Sequence, residues 1–357
     1  MEENQKIKIG IIGTGRIAKR FLPELQTVDG MEVAGVYTPH TESGQAFADQ
    51  YQIPYWETKE AFFQNVDAVY IASPHHTHIP YSMEAILAGK HVLCEKPMAL
   101  QEEDAARAIA LAEEKHLVLL EGIKTAYAPG YQKILELIHS GVIGKVGEVE
   151  ACFTKLEQKD RRELTDLETG GSLLELGTYP LLPILDILGE GYTELRFQQI
   201  LAENGLDLYT KAFFSYPNAM GEAKVGLGYK SEGELVVAGD KGYLRVEAPW
   251  WKPEKIHVCY EDRSQNQRYQ EEFLGDGLRY EISFFRDMIQ ELQKEKEGIE
   301  IGEENRQSLF IEYQKAGKRS IQSAKVIEQF LQEKDKRKRG KEKSILSLKK
   351  EDREEGK

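Results

Sequence analysis

The chain has 357 residues, of which 41% are hydrophobic and 9% aromatic, and its formal net charge is −13. At ~150 residues per domain this length suggests two domains, and the apolar content is enough for packed cores, which excludes a wholly disordered chain. The acidic balance disfavours binding to nucleic acid or to an anionic membrane surface, so we expect neither partner.

The cysteines and the first residues bear on the compartment. Cys94, Cys152 and Cys259 lie far apart without a CxxC pair, so we predict neither a disulfide framework nor a zinc–thiolate site. The polar residues 1–8 leave no room for a secretion signal. The sequence also has no apolar run of about 18 residues, the length that would predict a membrane helix. We therefore expect a cytoplasmic protein.

Short apolar runs alternate with helical patterns between residues 6 and 122. The runs are nearly continuous in Val, Ile and Leu, which is typical of parallel strands covered on both faces by helices. We predict an α/β domain over 1–122 with a doubly wound parallel sheet of the Rossmann type. Its predicted strands are 7–12, 31–37, 68–72, 91–94 and 117–120, and its predicted helices are 17–27, 42–51, 80–88 and 100–115.

The pattern changes in residues 123–332, where longer segments alternate polar and apolar residues. This period of two favours a largely antiparallel sheet with one open face, so we predict an α+β domain that binds substrate and forms oligomers. Amphipathic patterns predict helices at 130–140, 278–296 and 303–331. The predicted strands are 147–154, 194–201, 208–214, 221–228, 233–238, 243–247, 256–260 and 268–273.

Residues 333–357 are mainly Lys, Arg, Glu and Asp, with Ile345, Leu346 and Leu348 as the only sizeable apolar side chains. Such a segment buries too little surface to offset the entropy of ordering, so we predict a disordered, solvated tail. The alternative is that its basic run at 334–343 makes a weak contact with nucleic acid or a protein partner.

Residues 13–18 read Gly-Thr-Gly-Arg-Ile-Ala and lie between an apolar strand and an amphipathic helix. In that context the G-x-G-x-x-A spacing indicates a dinucleotide-binding turn. Gly13 permits the tight turn, Gly15 lets backbone N–H groups approach the pyrophosphate, and Ala18 keeps the helix close to the strand.

The cofactor type is suggested by the residues beside this turn. Arg16 and Ile17 are further candidates for cofactor contact. The second strand is followed by Thr38, Pro39 and His40, whereas NAD-specific sites usually carry an acid there for the ribose hydroxyls. Without that acid a 2′-phosphate is not repelled, and Thr38, His40 and Arg16 can donate hydrogen bonds to it. We expect NADP in preference to NAD; the alternative is a ribose edge that simply faces solvent.

Ser-Pro-His-His-Thr-His at 73–78 follows the third strand, at the strand end where ligands bind in such sheets. We assign Ser73, Pro74, His75 and His78 to cofactor contact; the alternative is that one histidine caps the next helix and the others are solvated. Neither a carboxylate nor a thiol stands at a helpful spacing, so we predict no metal site.

The fourth strand leads into Glu95, Lys96 and Pro97. A residue before proline has a restricted backbone, so Lys96 can aim its ammonium at the cleft, and a cis Lys96–Pro97 bond is accessible. We expect Glu95 and Lys96 to contact the cofactor, and Lys96 to polarise a substrate hydroxyl or lower the pKa of a neighbouring group. The alternative is a solvated lysine.

Residues 170–180 read Gly-Gly-Ser-Leu-Leu-Glu-Leu-Gly-Thr-Tyr-Pro. On a helix Glu175 and Tyr179 share a face because they are four residues apart. Two polar side chains on one face make this segment a candidate site. Taken alone, the segment is equally consistent with a core tyrosine and a surface glutamate.

Four segments together resemble the Gfo/Idh/MocA oxidoreductases, the family of glucose-fructose oxidoreductase, inositol dehydrogenase and dihydrodiol dehydrogenase. The resemblance covers about residues 6–323, and the segments that carry it are 13–18, 72–78, 88–97 and 170–180. It implies that Lys96 sits at substrate and cofactor, and that Glu175 and Tyr179 supply the acid and the group that exchanges the hydroxyl proton. The tyrosine is similar to the sugar and dihydrodiol branches.

The resemblance leaves the substrate open. The dihydrodiol branch tends to read E-x-x-x-x-R-x-x-P after the fifth strand, but Ala126 stands in the arginine position here, with Lys124 close by. A phenol with an ordinary pKa near 10 needs help at neutral pH, and Lys96 is the obvious cation for Tyr179.

We therefore predict an NAD(P)-dependent oxidoreductase that transfers a hydride between nicotinamide and a secondary alcohol or carbonyl of a sugar, polyol or dihydrodiol. Tyr179 is the predicted general acid/base, Lys96 tunes it, and Glu175 orients it or the substrate. The alternative is a non-catalytic dinucleotide-binding redox sensor or scaffold. The family resemblance also implies a homodimer or homotetramer.

Overall fold

The computed structural model describes residues 6–298 and 303–355. These ranges form a sheet of five parallel strands and a sheet of eight mostly antiparallel strands, with helices packed on both. The predicted combination of a Rossmann-type domain with an α+β domain is thus confirmed.

The first sheet and its helices occupy the N-terminal third. Their boundaries agree with the predictions to within two residues, apart from helix α3, which was not predicted. In chain order the elements are β1 (Ile7–Ile12), α1 (Arg16–Leu25), β2 (Met31–Tyr37), α2 (Thr41–Tyr51), α3 (Lys59–Gln64), β3 (Ala68–Ile71), α4 (His78–Leu87), β4 (His91–Glu95), α5 (Glu102–Glu114) and β5 (Leu119–Gly122).

The strand order of this sheet is β2-β1-β3-β4-β5, and every pairing is parallel. The order reverses between β1 and β3, and a crevice for a ligand forms at the carboxyl ends of the strands at such a point. The turn at Gly13, the loop at 73–78 and the Lys96–Pro97 peptide, which is cis, all follow these strand ends.

The second sheet has the order β13-β12-β11-β10-β6-β9-β8-β7. Among the described strands of this sheet, only β6 and β9 pair in parallel. One of its faces packs against α6 and α9 in a shared apolar core. The elements are α6 (Pro129–His139), β6 (Val146–Thr154), α7 (Arg162–Thr165), α8 (Ser172–Leu176), α9 (Thr178–Leu188), β7 (Glu194–Leu201), β8 (Asp207–Ser215), β9 (Met220–Gly226), β10 (Leu235–Gly239), β11 (Tyr243–Val246), β12 (Lys255–Cys259) and β13 (Gln267–Gln270).

Two C-terminal helices, α10 (Leu278–Glu297) and α11 (Glu303–Glu355), return to the first sheet. Ile282 and Phe285 of α10 are fully buried in the core that also holds Ile9 and Phe21, although the sequence placed this helix with the second domain. Helix α11 contacts both domains, since Ala316 belongs to that core and Val326 to the core of the second sheet. The apolar stripe of α10 predicts that one face of the helix is buried, but it does not show which of the two sheets covers that face.

The backbone of α11 is helical through Glu355, in the segment for which the sequence predicts a disordered tail. Glu, Lys and Arg are good helix formers, so the local backbone preference favours a helix even where few apolar groups are available. The prediction considered only what the segment can bury. Residues 356–357 lie outside the described residues.

Candidate active site

A cleft of about 850 Å³ lies between the carboxyl edge of the parallel sheet and the elements β6, α8 and α9. All the predicted site residues except one line it. Ala18 is instead fully buried between α1 and the sheet, as its predicted role in close packing requires. The lining residues from the prediction are Gly13, Gly15, Arg16, Ile17, Thr38, His40, Ser73, Pro74, His75, His78, Glu95, Lys96, Glu175 and Tyr179.

The glycine turn has the shape that a pyrophosphate requires. Gly13 has a φ of +107°, and a Cβ there would lie 2.5 Å from the carbonyl oxygen of Ala72, so only glycine fits. Gly15 is the N-cap of α1, and among the described residues no side chain caps this end and no acid stands in the first turn. The N–H groups of α1 are therefore available to a bound phosphate.

The end of β2 presents Thr38, which is buried, and His40, which is exposed and caps α2. The backbone N–H of His40 donates to Thr38 Oγ1 at 3.4 Å, and Ser43 Oγ donates to the carbonyl of His40 at 3.0 Å. The imidazole of His40 therefore lies on the cleft side of a short, self-bonded turn, in a position to meet the ribose end of a dinucleotide.

An ion pair crosses the cleft at the start of α1. The exposed guanidinium of Arg16 bonds Glu163, a buried residue of α7 in the second domain. This pair places α7 beside the phosphate-binding turn. Arg16, which the sequence assigned to the cofactor, is therefore already paired with a carboxylate. Glu163 was not found from the sequence, since no local motif marks it.

The two assigned histidines differ in their bonding. His78 is buried, with Nδ1 2.8 Å from the carbonyl of Pro97 and Nε2 2.9 Å from that of Ser73. Burial lowers its pKa to about 4, so the ring is neutral at pH 7 and joins the loops after β3 and β4. His75 is buried beside it with Nδ1 unpartnered among the described residues, and burial and the charge of Lys96 lower its pKa.

The structure brings Lys96, Glu175 and Tyr179 together at the other end of the cleft. Lys96 Nζ donates to the backbone carbonyl of Glu175 at 2.9 Å and lies 6.0 Å from the centroid of the Tyr179 ring. The carboxylate of Glu175 does not orient the tyrosine as expected, because its Oε1 is held 2.7 Å from Arg162. The edge-to-face ring of Phe153, 5.0 Å away, packs against Tyr179 instead.

The acidity of Tyr179 differs from the expectation. Removal from water, together with the nearby carboxyl groups of Glu95 and Glu281, raises the pKa of Tyr179 well above its ordinary value, and Arg20 is the cation that opposes them. The predicted lowering by Lys96 is therefore wrong for this form of the protein. At neutral pH the phenol is protonated, so it is ready to donate a proton rather than accept one.

Two buried carboxyl groups lie under this end of the cleft. Glu95 accepts a hydrogen bond from the Tyr70 hydroxyl at 2.6 Å, and burial raises its pKa. Glu281 is fully buried on α10, and neither of its oxygens has a hydrogen-bond partner among the described residues. Burial and Glu95 raise the pKa of Glu281 well above its usual range. The sequence carries a signal for it, because position 281 falls on the apolar stripe of α10.

The departure noted at Ala126 is resolved by geometry. Ala126 is buried and does not line the cleft, whereas Lys124 does. The Lys124 ammonium donates to the carbonyl of Asp276, and burial lowers its pKa to about 8. Lys124 is thus the basic side chain that β5 delivers to the site.

Within residues 6–298 and 303–355, no three His, Cys, Asp or Glu side chains are grouped as ligands of a metal ion. Nor does any helix in those ranges combine the length and the apolar character needed to cross a bilayer.

Comparison with known proteins identifies the family. Residues 7–123 match the GFO/IDH/MocA model described as an oxidoreductase family with an NAD-binding Rossmann fold, and residues 131–245 match the GFO/IDH/MocA C-terminal domain. The chain belongs to the GFO/IDH/MocA oxidoreductase family. The family resemblance inferred from the motifs is confirmed, as is the prediction of an NAD(P)-dependent oxidoreductase.

Individual GFO/IDH/MocA proteins show how far the similarity extends. A dTDP-3,4-didehydro-2,6-dideoxy-alpha-D-glucose 3-reductase of Streptomyces violaceoruber is 32% identical over 71% of this chain and 81% of its own length. The trans-1,2-dihydrobenzene-1,2-diol dehydrogenase of Sus scrofa is 27% identical over 83% and 92%. A 3-ketoreductase from Actinomadura kijaniata, solved with NADP and TDP-benzene, superposes with a TM-score of 0.71 over 90% and 96%, at 23% identity.

The pair between Arg16 and Glu163 predicts the behaviour of one variant. Glu163→Gln removes the carboxylate that competes with a cofactor phosphate for Arg16, so it should tighten NADP binding about threefold to tenfold, or roughly 1 kcal/mol. Quenching of protein fluorescence by added NADP measures this. Glu222→Gln, whose carboxylate is paired with Lys211 outside the cleft, is the control and should change the affinity much less. Unchanged or weaker binding by Glu163→Gln would contradict the competition.

Proposed function

We propose that the chain uses NADPH to reduce the carbonyl of a sugar or closely related polyhydroxy compound, with Tyr179 as the proton donor. The observation that carries this is the protonated phenol of Tyr179 in the same cleft as Lys96 and the dinucleotide turn. A phenol that is protonated at neutral pH can serve as a general acid, because a general acid must hold its proton until the transition state.

Each side chain at this end has a distinct task in the proposal. Tyr179 donates a proton to the carbonyl oxygen as that oxygen gains charge. Lys96 keeps one N–H on the carbonyl of Glu175 and offers its other N–H groups to the same substrate oxygen, which they orient and stabilise. A bound nicotinamide supplies the hydride.

Aromatic and charged neighbours order this end of the cleft. The Phe153 ring packs between Tyr179 and the indole of Trp251, on which it stacks at a centroid distance of 3.6 Å. Arg162 holds the Glu175 carboxylate aside, so the Lys96 ammonium faces the substrate without a carboxylate partner. Low exposure to water strengthens the polarisation of the carbonyl.

NADP is the proposed cofactor because of the ribose end of the cleft. Thr38, Pro39 and His40 follow β2 where a ribose-binding acid would otherwise stand, so nothing there repels a 2′-phosphate. The guanidinium of Arg16, once released from Glu163, and the imidazole of His40 can bind that phosphate, since both residues line the cleft. NAD remains the second choice.

The sugar class of substrate is supported by the relatives and by the polar lining. One of the similar proteins is named as a keto-sugar reductase, another as a 3-ketoreductase, and the third as a dihydrodiol dehydrogenase. The keto sugar and the dihydrodiol each present a secondary alcohol or carbonyl next to other oxygens. The polar side chains of Lys96, Lys124 and Tyr179 suit such a compound better than an apolar ketone.

Replacement of Tyr179 by Phe tests the proton donor. The variant keeps the ring and its contact with Phe153, so NADPH affinity should stay within about twofold, while kcat for carbonyl reduction falls by roughly 10²–10⁴-fold. Steady-state oxidation of NADPH with a panel of keto sugars measures both. Tyr209→Phe, on β8 outside the cleft, controls for loss of a phenol. A Tyr179→Phe enzyme with near-normal kcat would refute the assignment.

We also propose that the protein is a cytoplasmic homodimer or homotetramer assembled through the open face of the second sheet. No helix in the described ranges packs on that face opposite α6 and α9, and Tyr209, Phe213 and Tyr243 leave part of their surface exposed there. Apolar groups on an open sheet favour burial against a second copy.

The assembly is tested by Phe213→Glu. A charge in place of this aromatic ring should convert the dimer or tetramer to a monomer, whereas Lys211→Glu, a change between polar residues on the same strand, should perturb it less. Sedimentation velocity gives the mass of each. A wild-type chain that sediments as a monomer at all concentrations would contradict the proposal.

A further inference from the structure

The cations that line the cleft fall into two groups. Most are neutralised by a carboxylate, but within residues 6–298 and 303–355 two lysines have only backbone carbonyls as hydrogen-bond partners, namely Lys96 and Lys124. The neutralised pairs are Arg16 with Glu163, Arg20 with Asp276, Lys155 with Glu157, and Arg162 with Glu175.

The position of Lys96 is accounted for by the reacting carbonyl, but that of Lys124 is not. Its side chain is only 7% exposed, and its ammonium bonds the neutral carbonyl of Asp276. A buried charge without a counterion is costly, because the solvation that it loses is not replaced. That cost is removed when an anion enters the cleft and bonds the ammonium.

The groups around Lys124 leave the local charge positive. The carboxylate of Asp276 is 2.8 Å from Arg20, and the two opposite charges neutralise each other. Lys252 is a further cation nearby, and Glu281 is the remaining acid. Burial raises the pKa of Glu281 well above its usual range, which weakens this carboxyl group as a counterion for Lys124. Burial, Arg20 and Lys252 together lower the pKa of Lys124 to about 8, against the opposing effects of Glu281 and Asp276.

Lys124 lines the same cleft as the residues assigned to the reaction. Arg20 and Lys124 line it together with Tyr179, and the charge of Arg20 acts on the Tyr179 phenol. A substrate whose carbonyl meets Tyr179 and Lys96 therefore has its remaining atoms within the region that Lys124 and Arg20 border. Asp276, which contacts both Lys124 and Arg20, lies in a loop between Gly275 and Gly277, and both glycines have positive φ.

We propose that Lys124 is a specificity-determining residue that binds a carboxylate or phosphate group of the substrate, so that the enzyme prefers an acidic or phosphorylated sugar to its neutral counterpart. This inference rests on the proposed function and narrows its substrate class. Lys124 supplies a single uncompensated charge, so one oxyanion per substrate satisfies it.

The test measures binding rather than turnover. The protein saturated with NADP is titrated by calorimetry with glucose, glucuronate, glucose 6-phosphate and dTDP-glucose, which share a sugar ring and differ in the anionic group. At least one anionic member should bind about tenfold more tightly than glucose. The tightest member distinguishes a carboxylate, a phosphate monoester and a nucleoside diphosphate as the source of the anion.

Lys124→Met keeps the length of the side chain without its charge and should reduce that preference to about twofold or less. Lys252→Met removes a neighbouring charge that does not line the cleft and should preserve it. NADP affinity should be the same in all three proteins. Equal affinities across the sugars, no binding of any of them, or a selective loss of NADP affinity in Lys124→Met would overturn the proposal.

The pH dependence of sugar binding provides a second readout. Above about pH 8 the ammonium loses its proton, so the preference for the anionic sugar should decline there in the wild-type protein and be flat with pH in Lys124→Met. A preference that persists unchanged to pH 10 would contradict the role of Lys124. Failure of the proposed reduction would appear separately, as selective anion binding without hydride transfer.

Discussion

The site depends on one hydrogen bond between the two domains. Lys96 stands at the end of β4 in the parallel sheet, and its ammonium donates to the Glu175 carbonyl in α8 of the second domain. That bond places the lysine beside the α9 residue Tyr179 and leaves the dinucleotide turn open at the other end of the same cleft. The cation from one domain and the phenol from the other meet only because the strand end and the helix start face each other.

The partly buried position of this meeting point bears on what the phenol can do. A lysine that contacted the tyrosine oxygen would stabilise a phenolate, which suits the oxidation of an alcohol. Here burial and the carboxyl groups of Glu95 and Glu281 hold the proton on Tyr179 instead. In the proposed reaction this protonated phenol donates to the carbonyl, and Lys96 is assigned to the substrate oxygen rather than to the acidity of the tyrosine.

The parts of the molecule predicted well are those that local chemistry determines. Gly13 is required by its φ and by the close approach of Ala72, and the apolar runs of the parallel sheet follow from burial on both faces. Lys96, Glu175 and Tyr179 were found because each stands in a short motif, and their motifs converge in one cleft. The NADP preference and the roles of these residues stay predictions.

The parts that were missed depend on contacts between distant segments. Arg16 and Glu163 are far apart in sequence, so no local pattern shows that they pair. The acidity of Tyr179 reflects solvent exclusion and the buried carboxyl group of Glu281, which comes from a helix expected to belong to the other domain. Glu281 could have been noticed as an acid on an apolar stripe, but its position under the cleft follows only from the packing of α10 against the parallel sheet.

Transfer of an isotope tests the central claim most directly. NADPH carrying deuterium at C4 of the nicotinamide is incubated with the protein and a panel of keto sugars, and the products are analysed by mass spectrometry. If the cleft reduces a carbonyl by hydride transfer, one product gains a single deuterium on its new carbinol carbon, and the same position stays unlabelled when only the solvent is deuterated. A protein that binds NADPH tightly but transfers no deuterium to any carbonyl, or a label that comes from the solvent, would contradict it.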